Sequence, residues 1–391
     1  MKSKTEYTPY TDFGLKIFGP FLLGFTLWLE RELSSIHAKK VFFFARDGYM
    51  MKKAYDTLAF NSIKTEYAYF SRRSISQALL CFSNSFEDSL KYLSVERYIS
   101  LYKLLGYYGF SDEECKKIAE TRGICINQEY AFDSLQNSHE LSNLYNELED
   151  EILSRSKRQN DLLVRYTQQI GMTGFCPIVD IGWYGTMQKN LELFFKLNNI
   201  DVSLYGFYVG INLRTTNYGL VDRVKGYLFY PGNYKLKNSL LCFFGGYEKL
   251  FQIEEGSTIG YRLKDDCVVP VLKSYEYKDC PELICKLQSL QTGALSFVKS
   301  NLSKKFDSFQ KLALPLINVG RKPTLKDINL FSFFYIEDGK REYFVSNKSI
   351  FKYSLKEFLH ALSNSTWKTG FLKSVFKIPF PYYWVYSLFK K

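Results

Sequence analysis

Three short polar segments of the sequence each follow a run of apolar residues, which is the pattern of a strand that ends in a turn before a helix. The segments are Arg46-Asp47-Gly48, Ser71-Arg72-Arg73 and Asp180 to Thr186. In open α/β sheets the ligand crevice lies outside the carboxyl ends of the strands. If the three runs are parallel strands of one sheet, the polar segments converge on one pocket.

Arginine is the side chain that such a pocket would use to bind an anion. Arg46, Arg72 and Arg73 can hold phosphate oxygens through paired hydrogen bonds from a planar guanidinium group. The chain has 391 residues, and its 52 Lys and Arg exceed its 40 Asp and Glu, for a net charge of +12. This excess favours an anionic partner. Ion pairs with Asp47, Asp180 or surface acids are the structural alternative for the arginines.

The turn after Asp180 combines two glycines with an aromatic residue. Gly182 and Gly185 permit a tight backbone and the close approach of a ligand, and Thr186 can cap the helix that follows. Free N–H groups at the start of that helix would then face an anion. A tight joint between a strand and a helix requires glycines for steric reasons in any case, so they do not by themselves indicate a ligand. We expect Trp183 either to pack against the protein or to stack on a sugar or base.

A carboxylate is the expected general base, because the sequence gives little support for histidine or serine chemistry. The three histidines lie in ordinary helical or polar contexts, and no GxSxG occurs. The candidates are Asp47, Asp180, Glu248 and Glu254. Both glutamates lie near Lys249 in the sequence, so capping a helix or pairing with that lysine is an equal alternative.

Several metal and phosphate motifs are missing from the sequence. It contains no CxxC, no GxxxxGK[ST] and no DxD. A zinc site is therefore not expected, and a P-loop ATPase is excluded. Glycosyltransferases that bind a metal diphosphate through DxD are disfavoured.

The elements that would position these residues alternate between strands and helices. Apolar, β-prone runs predict strands at 41–45, 65–70, 175–180, 202–211 and 226–230. This alternation indicates an α/β fold with a Rossmann-like, mainly parallel sheet. We divide the chain into a first part of the catalytic core at 1–85, a helical insertion at 86–170, a second part of the core at 171–265 and a C-terminal region at 266–391.

The cysteines and the two ends of the sequence indicate where in the cell the protein is expected. No secretory signal is recognisable, and the eight cysteines show no CxxC spacing, which indicates a reducing cytosol. The apolar run Ile17–Leu29 is too short to cross a bilayer and is expected to be a buried helix. The tail Phe371–Lys391 is basic and aromatic without acidic residues, which favours an anchor at a membrane surface. A C-terminal helix docked on the protein's own core is the alternative.

Five segments follow one another along the chain in this order: FGPFLLGFTLWLE, VFFFARDGYMMKKAYD, YFSRRS, IVDIGWYGTMQKNLE and EEGSTIGY. Together they resemble the carboxyl-terminal module of bacterial surface-polysaccharide proteins whose amino-terminal half looks like a haloacid-dehalogenase-type phosphatase. The resemblance covers roughly Thr11 to Tyr261 and is weakest in the helical insertion. This chain departs from that pattern because it holds no phosphatase half.

The resemblance implies a glycan phosphoribosyltransferase of O-antigen or capsule biosynthesis. Such an enzyme transfers 5-phosphoribosyl from phosphoribosyl pyrophosphate to a growing, lipid-linked glycan, and here a separate phosphatase would remove the 5-phosphate to leave ribofuranose. The matching motif positions are Arg46, Asp47, Gly48, Arg72, Arg73, Asp180, Gly182, Trp183, Gly185 and Thr186.

This interpretation gives each candidate residue a role. The expected contacts to the donor phosphates are Arg46, Gly48, Arg72, Arg73, Gly182, Gly185 and Thr186. The expected contacts to the acceptor or to a sugar are Trp183, Glu248 and Glu254. Asp47 is the expected base, and Asp180 is expected to contact ribose hydroxyls or a donor-bound Mg²⁺. No tightly bound cofactor is expected.

Two other functions are consistent with the same sequence. One is a metal-independent nucleotide-sugar glycosyltransferase built from two Rossmann-like halves. The other is a non-catalytic scaffold of polysaccharide assembly that binds the membrane periphery. Nucleic acid is not an expected partner, because the positive charge is spread along the chain and no binding motif occurs. The expected location is the cytoplasm, with peripheral attachment to the inner face of the plasma membrane.

Overall fold

The structure is a computed structural model that describes residues 8–58, 63–94, 98–212, 219–338 and 340–388. Its strands are β1 Lys40–Phe44, β2 Lys64–Ala68, β3 Tyr98–Ser100, β4 Glu129–Ala131, β5 Gly174–Trp183, β6 Val202–Ile211, β7 Val224–Phe229, β8 Thr258–Lys264, β9 Cys267–Leu272, β10 Tyr335–Asp338 and β11 Lys340–Tyr343. Its α-helices are α1 Thr8–Phe13, α2 Gly19–Ser35, α3 Gly48–Tyr55, α4 Arg72–Leu79, α5 Phe86–Ser89, α6 Leu101–Tyr107, α7 Asp112–Arg122, α8 His139–Gln169, α9 Thr186–Leu197, α10 Lys237–Leu241, α11 Phe244–Phe251, α12 Pro281–Asn301, α13 Leu314–Arg321, α14 Leu325–Phe331, α15 Leu355–Asn364, α16 Lys368–Phe376 and α17 Tyr382–Leu388. A π-helical turn, Gly14–Phe18, joins α1 to α2.

Five strands form an all-parallel central sheet in the order β2-β1-β5-β6-β7. Each of the five predicted strands overlaps one of them, so the predicted α/β fold with a Rossmann-like sheet is confirmed. The chain passes from β1 outward to β2, then returns to β5 on the other side of β1 and continues to β6 and β7. The direction of winding therefore reverses between β1 and β5, which is where sheets of this kind bind ligands.

The sheet is buried on both faces. Val41 and Phe43 of β1 belong to one hydrophobic core, whereas Phe42 and Phe44 belong to the other. Successive side chains of a strand point to opposite faces. A strand that is covered on both faces therefore consists of a continuous apolar run, as the sequence shows at 41–45.

The amino-terminal helical segment Thr8–Ser35 lies in the first core, where Phe21, Leu22 and Phe25 are fully buried. Its length and composition would allow it to cross a bilayer, but 72% of its most apolar stretch of 18 residues is buried inside the protein. This agrees with the expectation that Ile17–Leu29 forms a buried helix. It is compatible with a soluble protein and with a peripheral membrane protein.

The chain between β2 and β5 covers the other face of the sheet. This region is mainly helical, and the long helix α8 packs on α4. The short antiparallel pair of β3 and β4 interrupts the helices. The sequence did not predict this pair, because strands of three residues are too short to give a periodic signal.

The hairpin of β8 and β9 is fixed against α8 by two glutamine amides. The N–H of Tyr261 donates to Gln159 Oε1 at 2.8 Å, and Gln159 Nε2 donates to the Tyr261 carbonyl at 3.1 Å. Gln169 pairs with Val268 in the same way at 2.8 and 3.1 Å. The Tyr261 hydroxyl also donates to the carbonyl of Tyr69 at 2.7 Å. The hairpin is thereby held over the carboxyl end of β2.

The C-terminal tail docks on the core by one face and exposes the other. Phe371 and Val375 of α16 and Tyr382 of α17 are buried, whereas Ile378 and Trp384 are largely exposed. The alternative of a helix docked on the core therefore describes one face of the tail only.

Candidate active site

The carboxyl end of β1 delivers Arg46 and Asp47 to the switch point, and α3 begins immediately afterwards at Gly48. A Cβ atom at Gly48 would lie 2.9 Å from the main-chain carbon of Phe43. The helix can turn back this closely on its own strand only because that position has no side chain.

The carboxyl end of β5 forms the second wall of the site. Gly182 has φ +104°, and a Cβ atom there would lie 2.4 Å from the carbonyl oxygen of Gly210. Gly185 has φ +68° and holds the N-cap position of α9, which begins at Thr186. The prediction that Thr186 caps this helix is therefore wrong, because the cap position falls on a residue without a side chain.

Three carboxyl groups converge between these walls, from Asp47, Asp180 and Glu248. Each side chain is half-buried, so each retains some contact with solvent. Burial raises the pKa of Asp47 well above its ordinary value, and the charges of Glu248 and Asp180 raise that pKa further. Burial also raises the pKa of Glu248. Such mutual repulsion requires the groups to be close together.

Asp180 combines burial with direct stabilisation of its charge. Burial is the largest influence and raises the pKa of Asp180 to about 7, with the charge of Glu248 acting in the same direction. Hydrogen bonds from the backbone N–H groups of Ile181 and Gly182 act in the opposite direction. A carboxyl group whose pKa lies near neutrality is suited to exchange protons at physiological pH.

Glu248 is held by an indole rather than by its neighbour in the sequence. Trp183 Nε1 donates to Glu248 Oε1 at 3.1 Å. The indole itself is buried and stacks on Phe229 with ring centroids 6.2 Å apart. Of the two alternatives expected for Trp183, the structure shows the one in which the side chain packs against the protein. Lys249, the expected alternative partner of Glu248, forms its ion pair with Glu276 instead.

The two adjacent arginines of α4 point in different directions. Arg72 is exposed, and its charge lowers the pKa values of Asp47, Asp180 and Glu248. Arg73 Nη2 instead donates to the carbonyl of Phe110 in the helical insertion at 3.2 Å. The structure therefore brings Arg72 to the carboxyl cluster and does not bring Arg73 there.

Arg46 is held in a buried network that sequence analysis missed. Its Nη1 donates to Glu276 Oε2 at 2.8 Å and to the carbonyl of Glu255 at 3.3 Å. The other oxygen of Glu276 accepts from Lys249 Nζ at 2.5 Å. Burial lowers the pKa of Lys249 to about 8, against the opposing charge of Glu276. Glu276 lies in an aromatic segment without a motif, so nothing in the sequence identified it.

Tyr67 and Tyr69 of the β2 end complete this side of the site. The Tyr69 hydroxyl donates to Glu255 Oε2 at 3.2 Å. The Tyr67 hydroxyl is buried and has no hydrogen-bond partner among the described residues. Burial raises the pKa of Tyr67, and the charges of Asp47 and Arg46 act on it. It is therefore a polar group near the cluster with an unused hydrogen-bonding capacity.

Glu254 lies apart from these residues, on the outer side of the segment that follows α11. Its Oε2 accepts from Gln288 Nε2 of α12 at 2.9 Å. Its expected role as an acceptor contact stays a prediction. Two cavities also lie elsewhere: one of about 560 Å³ between the C-terminal helices, and one of about 680 Å³ beside α8 and β8. Neither is lined by a predicted site residue.

The carboxyl cluster does not form a metal centre built from protein ligands alone. Among the described residues, no three His, Cys, Asp or Glu side chains are grouped so that they could hold a metal ion. Mg²⁺ commonly binds through one or two carboxylates together with substrate phosphates. The expected donor-bound Mg²⁺ therefore stays a prediction.

No known family model matches the chain, and no protein with curated function matches it either.

Proposed function

We propose that this protein is a glycan phosphoribosyltransferase. It transfers 5-phosphoribosyl from phosphoribosyl pyrophosphate to a glycan acceptor in bacterial surface-polysaccharide synthesis. The observation that carries the proposal is the convergence of Asp47, Asp180 and Glu248 with Arg46 and Arg72 at the switch point between β1 and β5. Cations and proton-accepting carboxyls at one place are what this transfer requires.

The donor carries two phosphate groups at opposite ends of a pentose. Arg72 is the exposed cation that binds one of them, through charge-assisted hydrogen bonds. Gly182, Gly185 and Thr186 supply a close backbone approach and the start of α9, whose free N–H groups favour an anion. Arg46 contributes a positive charge held in place by Glu276.

The transfer breaks the bond between C1 of the ribose and the pyrophosphate oxygen, and pyrophosphate leaves with the bonding electrons. The acceptor hydroxyl oxygen forms the new bond to C1 and loses its proton. Positive charge develops on the ribose and negative charge on the leaving group. Fixed cations such as Arg72 stabilise the latter charge.

The proton of the acceptor hydroxyl passes to the pair formed by Asp47 and Asp180. Because these groups repel each other when both are ionised, they titrate as a unit. Asp47 is the base in our assignment, and Asp180 contacts the ribose hydroxyls or a Mg²⁺ carried by the donor. Glu248, held by Trp183, faces the same cluster from the acceptor side.

The proposal includes partners of defined chemistry. The acceptor is a lipid-linked glycan at the inner face of the plasma membrane, and the protein is cytoplasmic and peripheral there. A separate phosphatase removes the 5-phosphate from the product and leaves ribofuranose.

The test is to incubate the full-length protein with phosphoribosyl pyrophosphate and a lipid-linked glycan primer, and to analyse the primer by mass spectrometry. We expect a product heavier by one phosphopentose, which alkaline phosphatase then shortens by one phosphate. The Asp180→Asn variant should form this product far more slowly. Transfer from nucleotide sugars in place of phosphoribosyl pyrophosphate would overturn the proposal in favour of a nucleotide-sugar transferase. That alternative is disfavoured because the described residues contain one five-stranded sheet rather than two Rossmann-like halves.

A further inference from the structure

The three C-terminal helices α15, α16 and α17 line a cavity of about 560 Å³ that opens to solvent. Its lining is almost entirely apolar and includes Phe358, Leu362, Leu372, Phe376, Phe380 and Val385. The polar groups at its wall belong to Lys368, Ser363, Tyr382 and Tyr386. A cavity of this size and composition is suited to a hydrocarbon chain rather than to a sugar or a phosphate.

The rim of the cavity carries large apolar side chains that face solvent. Ile378 is 52% exposed, Phe380 49% and Trp384 61%. On the neighbouring segment, Leu355 is 75% and Phe351 is 96% exposed. Soluble monomers rarely expose apolar side chains in such a group, and a group of this kind marks a surface that another molecule covers.

The charge of the same surface indicates what covers it. From Ser365 to Leu388 the described residues include three lysines and no acidic residue. Lys373 in the last turn of α16 and Lys377 just after that helix lie close to Ile378, whose carbonyl accepts from Lys373 Nζ at 3.0 Å. Apolar and aromatic residues surrounded by lysines are complementary to a bilayer with anionic headgroups, and tryptophan favours the boundary between headgroups and hydrocarbon.

This surface is rigidly attached to the core. Trp367, just before α16, is fully buried and donates from Nε1 to the Gly320 carbonyl at 3.2 Å. The Tyr383 hydroxyl of α17 lies 2.8 Å from Ser239 Oγ, and the Arg321 guanidinium lies over its ring. Exposed apolar residues on a firmly held scaffold do not require ordering when they bind, which lowers the entropic cost of docking.

The surface also adjoins the candidate active site. The Lys368 N–H donates to the Cys242 carbonyl at 2.9 Å, and the Gly245 N–H donates to the Thr366 carbonyl at 3.3 Å. These bonds join the start of α16 to the start of α11, the helix that carries Glu248. The C-terminal helices are therefore joined directly to the helix that carries a member of the carboxyl cluster.

We propose that the surface formed by α15, α16 and α17 docks on an anionic bilayer, with one hydrocarbon chain of a lipid in its cavity. This deepens the proposed function, because it names the surface that meets the membrane, and it rests on that function only for its biological use. Vesicle binding is measured without any transfer reaction, so the failure of one proposal is distinguishable from the failure of the other.

The test is co-sedimentation of the full-length protein with vesicles of phosphatidylcholine alone or with about a third phosphatidylglycerol. We expect the protein to prefer the anionic vesicles. The double variant Ile378→Asp/Phe380→Asp should lower the partition coefficient at least about tenfold. The control is Phe175→Asp, which places one such charge at a position 53% exposed on the amino-terminal edge of the sheet, and it should change binding less than about twofold.

A cavity-filling variant separates chain insertion from simple electrostatic attraction. Val385→Trp leaves the lysines in place but occupies the cavity, and it should lower binding several-fold. Lys373→Glu/Lys377→Glu should abolish the preference for anionic vesicles.

Equal binding by wild type and Ile378→Asp/Phe380→Asp would overturn the proposal. A second result would also overturn it. If the wild-type protein bound neither kind of vesicle but formed a dimer in sedimentation velocity, and the double variant did not, the surface would join two copies of the chain. Vesicle binding that persists while no phosphopentose is transferred to the lipid-linked primer would overturn the proposed function and leave the docking surface supported.

Discussion

Trp183 Nε1 donates a 3.1 Å hydrogen bond to Glu248 Oε1, which joins the glycine turn after β5 to helix α11. The backbone of Trp183 has φ +68°, an uncommon conformation for a bulky side chain. In this conformation the indole stacks on Phe229 inside the core while its N–H reaches the carboxylate. The indole is thus a positioning residue for one member of the carboxyl cluster.

Trp183→Phe should therefore weaken activity without removing any charge. The loss of one hydrogen bond to a carboxylate corresponds to about 1.5–3 kcal/mol, or at least about a tenfold loss of kcat/KM. Trp384→Phe, at an exposed position, is the control and should leave transfer to a soluble acceptor within about twofold. Equal activity of Trp183→Phe and wild type would contradict the positioning role.

The unpartnered hydroxyl of Tyr67 predicts a contact with the substrate. Tyr67→Phe should raise the KM for the donor about three- to tenfold and leave the melting temperature unchanged or higher, because a buried polar group without a partner is costly. Tyr234→Phe removes another buried hydroxyl without a described partner, away from the cluster, and should change only stability. The same KM for both variants would exclude this contact.

The buried network of Arg46, Lys249 and Glu276 predicts a large effect on stability. Glu276→Gln leaves Lys249, which is 1% exposed, without its counter-charge, and should cost about 3–5 kcal/mol of unfolding free energy in urea titrations. Lys249→Met in the same protein should recover much of this loss. Glu282→Gln breaks the more exposed pair with Lys286 and should cost less than about 1 kcal/mol. A cost for Glu276→Gln no larger than that would contradict the account.

The raised pKa of Asp180 predicts a pH dependence of stability with a definite sign. The ordinary pKa of 3.8 applies to the unfolded chain, and the folded value is about 7. Between these values the folded protein binds more protons at this group than the unfolded chain does. The contribution of Asp180 to the free energy of unfolding is therefore fully present below about pH 4 and is lost as the pH rises through about 7. Asp180→Asn should therefore stabilise the protein by on the order of 1–3 kcal/mol near pH 8 and by little near pH 4.

Chemical denaturation at both pH values measures this difference. The exposed residue Asp222 supplies the control, since Asp222→Asn should change stability by less than about 0.5 kcal/mol at either pH. A destabilised Asp180→Asn variant at about pH 8 would mean that the carboxylate is held by partners rather than strained by burial.

The sheet could be predicted from the sequence because its strands are covered on both faces. The run at 41–45 is apolar throughout and the run at 175–180 is apolar up to Asp180, and each run ends abruptly in charged or glycine residues. Parallel strands then place their carboxyl ends at one edge, so Asp47 and Asp180 come together by topology alone.

The remaining parts of the site depend on tertiary contacts that leave no local pattern. Glu276 reaches Arg46 across 230 positions of the chain, and the sequence around it has no spacing that indicates an ion pair. The sequence also did not predict that Arg72 and Arg73 point in different directions. Neighbouring residues of a helix are about 100° apart around its axis, and only the packing of α4 decides which of them faces the cluster.

The most direct test of the central claim is the binding of phosphoribosyl pyrophosphate, measured by isothermal titration calorimetry on wild type, Arg72→Ala and Arg73→Ala. Arg72→Ala removes the exposed guanidinium at the cluster and should weaken binding about 10- to 100-fold. Arg73→Ala removes a buried contact to the insertion, so it should lower the melting temperature and weaken binding less than about threefold. A wild-type protein that does not bind this donor, or an Arg72→Ala variant that binds it as wild type does, would contradict the account.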